Sequence, residues 1–224
     1  MSKKVQKTAD EFENVEHALT SSEAFIEKYQ KQILYGLGAV AVIVVAVLAI
    51  NNFYVAPRQN VAANEMYKSQ AYFAADSFRV ALEGDGIESI GFEEISSEYS
   101  MTPSGNLAKA YAGICYFNLG DYEQAVKFLS QYDGDDQYFS ISVIGLIGDC
   151  YAEMNEPKNA IKFFSKAADS KNDVLAPYYL KKAATLLELE GDKEKALKNY
   201  QAIKDSYPMS AEAQEVDKYI ARLQ

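Results

Sequence analysis

The sequence predicts an all-α protein: a single N-terminal transmembrane helix followed by a solenoid of stacked helical hairpins. Three observations predict it. Turn-forming residues recur at Gly86, Gly120, Asn155 and Gly191, at intervals of 34, 35 and 36 residues, and a near-constant period of that size marks a chain built from repeated helix pairs. Small residues return in register with those turns. Upstream, no charged residue occurs between Lys31 and Arg58.

The uncharged stretch comes first in the chain. Its core, 33–50, is almost continuously apolar, and a helix at about 1.5 Å per residue running on to Tyr54 crosses a hydrocarbon layer of about 30 Å. A tail at 1–32 and a span at 33–57 follow from this reading. Lys3, Lys4, Lys7, Lys28 and Lys31 precede the span, whereas only Arg58 and Lys68 follow closely, which places the N-terminus in the cytoplasm. Val47, Leu48 and Ala49 resemble a cleavage site, but the leader is long and acidic and the apolar run exceeds a signal core, so a retained span is expected. Thr20, Ser21, Ser22 and Glu23 form a helix-start signal ahead of it.

Beyond Pro57, which should break or bend the chain, 61–70 reads helical. The remaining length fits one domain, and 17 Tyr with 11 Phe supply ample core material. After residue 57 there are 17 bases against 26 acids, a net charge of -9. Such a domain is repelled by phosphate backbones, so nucleic acid is excluded as a partner.

Three copies of one pattern begin at Asn106, Ile141 and Pro177. Their eighth places hold Gly113, Gly148 and Ala184, their twentieth Ala125, Ala160 and Ala196, and their twenty-fourth Leu129, Phe164 and Tyr200. Small residues at the first two places let antiparallel helices approach closely, and the large residue fills the space beside them. A degenerate copy is expected at 72–105, turning at Gly86, with Arg79 too large for its eighth place. The resulting layout is a linker helix and degenerate repeat at 58–105, three repeats at 106–208, and a capping helix at 209–224 carrying the stripe Ala211, Ala213, Val216, Ile220 and Leu223.

Little in the chain suggests catalysis. The one histidine, His17, lies in the tail, so histidine-dependent triads and metal clusters are not expected in the solenoid. No phosphate-binding glycine motif occurs. Gly84, Asp85 and Gly86, and likewise Asp133 to Asp136, hint at calcium but lack a full loop with its closing Glu, and read as solvated turns. Cys115 and Cys150 stand 35 residues apart. Equivalent places on neighbouring helices are about 10 Å apart, too far for a disulfide that needs its Cα atoms within about 7 Å, so buried free thiols are expected. No catalytic residue, metal or cofactor is assigned.

The repeated pattern, with Pro208 at the thirty-second place of the third copy, resembles the tetratricopeptide repeat (TPR). The resemblance implies a protein-binding concave face lined by first helices. Carried over place by place, it implies partner-binding residues Leu107, Ile114 and Phe117 in the first copy, Asp149 in the second, and Tyr178 and Lys181 in the third. Lys182 is the one residue that fits the family's carboxylate clamp. Without the rest of that clamp, an apolar or extended segment is the implied ligand. Alternatively, Leu107, Ile114 and Phe117 pack under the loop around Ser100 to Ser104.

The order of tail, span and acidic repeat domain is similar to the membrane-anchored ancillary subunit of the bacterial SecYEG translocon. That resemblance implies a periplasmic scaffold or holdase on the inner membrane, with exported clients, translocon or chaperone subunits as partners. A structural subunit of a stable cell-envelope assembly complex is the alternative.

Overall fold

The structure is a computed structural model that describes residues 28–224; His17 and the helix-start signal at 20–23 lie outside the described residues. Every regular element among the described residues is helical. The chain divides into two compact units, Met1–Val55 and Ala56–Gln224.

In the first unit, residues 28–50 form α1, whose apolar side chains are exposed. A π-helical stretch, Asn51–Val55, follows it. Proline removes a backbone donor and crowds the carbonyl four residues earlier, and one wide turn ahead of Pro57 relieves that crowding. Helix stands on both sides of Pro57, where the chain was expected to break or bend.

The second unit begins with α2 (Ala56–Ala74), α3 (Phe78–Glu83) and α4 (Gly91–Glu98). Phe92, Ile95 and Leu82 are fully buried there against Ala62 and Met66 of α2. Gly86 lies, as expected, in a turn between two packed helices, α3 and α4, but both are short. Helix α2 stops before Asp76, which takes a left-handed φ of 54°, and a closed loop joins α3 to α4. Gly84 and Gly91, at φ 88° and 75°, bring their backbones together; a Cβ on Gly91 would lie 2.4 Å from the Gly84 nitrogen. Asp85 closes the loop by accepting from the N–H groups of Ile87, Glu88 and Ser89 at 2.9, 2.8 and 2.9 Å. Three glycines within eight residues deprive this stretch of helix propensity, and the Asp85 carboxylate supplies the alternative.

Three hairpins follow: α5 (Pro103–Leu119) with α6 (Tyr122–Leu129), α7 (Phe139–Glu153) with α8 (Pro157–Ala168), and α9 (Leu175–Leu189) with α10 (Lys193–Ser206). Each second helix also packs on the first helix of the next hairpin. The three predicted turns are one motif repeated. Gly120, Asn155 and Gly191 all have left-handed φ, at 81°, 59° and 82°. Past each of them an N–H reaches back to the helix: Asp121 to the Tyr116 carbonyl at 3.0 Å, Glu156 to Tyr151 at 2.8 Å, and Asp192 to Leu187 at 2.8 Å. This pairing satisfies carbonyls that a helix end leaves open.

Helix starts are capped in the same periodic way. Thr102 accepts from the Gly105 N–H at 3.0 Å, Asp136 from Tyr138 and Phe139 at 2.9 and 2.5 Å, and Asn172 from Val174 and Leu175, both at 2.9 Å. Inside the hairpins, the eighth place meets the twenty-fourth. A Cβ on Gly113 would lie 2.5 Å from Leu129, and one on Gly148 would lie 2.6 Å from Phe164. Cys115 and Cys150 are free and buried, each in a different core cluster.

The C-terminal stripe is broken rather than continuous: a 3-10 turn, Glu212–Gln214, precedes α11 (Val216–Leu223). Helix α11 closes the apolar end of the third hairpin by burying Val216 and stacking Tyr219 on Tyr200 with ring centroids 5.0 Å apart. Arg222 holds both oxygens of Glu188 at 2.8 and 2.6 Å.

Candidate partner-binding face

Helix α9 places Tyr178, Lys181, Lys182 and Thr185 on one face, because residues three and four apart in a helix are neighbours. Helix α7 brings Asp149 opposite them. Lys182 is ion-paired with Asp149, and its ammonium lies 5.0 Å from the ring centre of Phe164 and 5.1 Å from that of Tyr178. A lysine stem can lie on apolar surface while its charged end finds a carboxylate and the negative faces of two rings. Lys181 turns the other way and meets Glu215 of the C-terminal segment at 3.2 Å. Hydrogen bonds from Lys181 and then Lys218 hold the Glu215 carboxyl below its ordinary pKa.

These groups bound an open cavity of about 400 Å³, completed by Ala152, Leu186 and Glu212. Phe164 forms its buried floor and Tyr178, 43 % exposed, its rim. The cavity is apolar over most of its wall, with charges at the edges, which suits a side chain bearing a polar end.

Four of the seven residues expected to bind a partner, Asp149, Tyr178, Lys181 and Lys182, come together here. The other three stand elsewhere. Leu107 packs half-buried against the cluster built on α2 to α5, whereas Ile114 and Phe117 pack half-buried against the cluster between the first two hairpins. Phe117 meets Tyr122 edge-on with ring centroids 5.6 Å apart. Gly145 of α7 is covered by the ring of Tyr179.

Sequence reasoning missed Phe164, Leu186 and Glu212 as parts of this cavity. Phe164 was legible as a filler within its own hairpin, and its ring serves both purposes. Glu212 lies beyond the last repeat and reaches the cavity only because the C-terminal segment folds back on α9. No period or motif marks it.

The two acidic turns weighed for calcium use their carboxylates as caps. Four donors hold the Asp85 carboxylate, three backbone N–H groups and the Tyr72 hydroxyl, and keep its pKa well below the ordinary range. The Ser140 hydroxyl leads the donors that lower Asp136 to about 2. Among the described residues no group of three or more His, Cys, Asp or Glu side chains is arranged to hold a metal.

Comparison with known proteins agrees with this geometry. Residues 111–132 and 178–210 match one tetratricopeptide-repeat family model, and 141–173 match a second. No curated protein matches the chain in sequence. Two crystal structures of kinesin light chain TPR-like repeats from Podosopora anserina are similar in fold. One, a point variant, superposes with a TM-score of 0.52 at 11 % identity. The other gives 0.53 at 12 %. Both comparisons cover 72 % of this chain and 84 % of the matched one. Three segments of the chain thus match tetratricopeptide-repeat models, and the described residues form an all-helical solenoid similar in fold to those structures.

Proposed function

We propose that this protein is a non-enzymatic scaffold or holdase, fixed to a bacterial inner membrane by the helix at 33–57, that engages exported chains through the face carrying Asp149, Tyr178, Lys181 and Lys182. In this reading residues 1–32 are a cytoplasmic tail and the repeats at 106–208 lie in the periplasm. The clients and assembly partners are newly translocated proteins, Sec translocon subunits and periplasmic chaperones. The observation that carries it is the cavity itself, open and apolar-walled, on a repeat fold that binds other chains. The anchoring rests on α1, whose most apolar window is 0 % buried and which is long and apolar enough to cross a membrane. Tethering raises the concentration of the cavity near chains emerging at the same surface.

Photocrosslinking in cells from a reactive residue placed at Tyr178 tests the reading. Many exported clients in substoichiometric yield, together with translocon subunits, are expected. One stoichiometric envelope protein would identify a structural subunit instead, and release of the full chain by alkaline carbonate would overturn the anchor.

A further inference from the structure

The cavity has a charge preference that its ion pairs reveal. Its lining holds four charged side chains, Asp149, Lys181, Lys182 and Glu212. Lys182 neutralises Asp149, and Lys181 is neutralised by Glu215, which is shared with Lys218 at 3.3 Å. Among the described residues, Glu212 is the one of these four without a cationic partner. It is half-buried, so solvent screens it less than a surface carboxylate. The same lining includes the apolar or aromatic side chains of Ala152, Phe164, Leu186 and Tyr178.

We propose that the cavity selects a lysine or arginine side chain of an extended partner segment. The aliphatic stem lies along Leu186 and Ala152 beneath the Tyr178 ring, and the cationic end meets Glu212. Lys182 already shows the chemistry within the same cavity, with its ammonium set between two aromatic rings and a carboxylate. The two lysines resist an acidic ligand's claim because each is engaged by its own carboxylate. This inference rests on the reading that the α7–α9 face binds peptide segments, and it adds which segments.

Three labelled peptides separate the two claims: seven residues of one apolar sequence, differing only at the centre as lysine, norleucine or glutamate. Titrated into the full chain at low salt, the lysine peptide should bind about tenfold more tightly than the norleucine peptide, as for a hydrogen-bonded charge pair. Glu212→Gln should abolish that difference, and Glu212→Lys should reverse the order in favour of glutamate. Equal binding of lysine and norleucine, or a lysine preference that survives both substitutions, overturns the inference and leaves the peptide-binding reading standing. If no peptide binds, or if Tyr178→Ala weakens none of them, both fail.

Discussion

The ring of Tyr179 rests on the backbone of Gly145, so closely that a Cβ on Gly145 would stand 2.1 Å from two of its carbons. The first helices of the second and third hairpins, α7 and α9, thereby touch at this point. The packing of Tyr179, 5 % exposed and stacked at 6.2 Å on Phe164, leaves no room for adjustment.

Gly145→Ala should therefore destabilise the domain by about 1–3 kcal/mol, the usual cost of overpacking. Gly120→Ala meets nothing within 4 Å, and its cost is backbone strain at φ 81°, about 1 kcal/mol. Urea unfolding of both variants checks the order; an equal or inverted ranking would show that α7 and α9 are not pressed together.

The Lys182–Asp149 pair joins neighbouring hairpins across the cavity, with side chains 29 % and 28 % exposed. A double-mutant cycle with Lys182→Met and Asp149→Asn should return a coupling of about 0.5–1 kcal/mol, because partial exposure screens the charges while two aromatic faces add to them. Raising salt to 1 M should shrink the coupling without erasing it.

Burial raises the thiols of Cys115 and Cys150 to about 12. Thiolate is the reactive form, so neither cysteine should react with an aromatic disulfide reagent at pH 8 in the native domain. Both should react in denaturant. Modification of either thiol without unfolding would contradict the packing of the first two hairpins.

Asp136 caps α7 and is held at about 2 by the Ser140 hydroxyl and three backbone N–H groups. Its carboxyl in the unfolded chain titrates near its ordinary value of about 3.9. Because the folded value is the lower one, the stabilisation is fully present above about pH 4 and is lost as pH falls through about 2. Relative to Asp136→Asn, the native chain should melt higher at neutral pH, with the gap closing between those limits. A gap unchanged by acid would mean that the carboxylate does not cap the helix.

Much of this architecture is legible residue by residue. Gly120, Asn155 and Gly191 mark real helix ends because a left-handed turn is a local demand that few residues meet. Gly113 and Gly148 mark hairpin seams because close approach needs a missing side chain. Gly86 marks a turn too, at a positive φ of 73°, but one set in the loop closed by Asp85 between two short helices. Spacing records where a chain can turn, while the caps on either side decide what turns there.

The candidate site divides along the same line. Asp149, Tyr178, Lys181 and Lys182 are what the resemblance to the tetratricopeptide repeat implies, carried over place by place on the repeat period. That Phe117 and Ile114 fill a seam while Tyr178 stays open depends on which neighbour each repeat meets, and only the stacked structure decides it. Glu212 is the clearest case. A segment outside the repeats turns back on α9 because α11 must bury Val216 against the last apolar helix pair, and that long-range contact, invisible to any local pattern, sets the charge of the cavity.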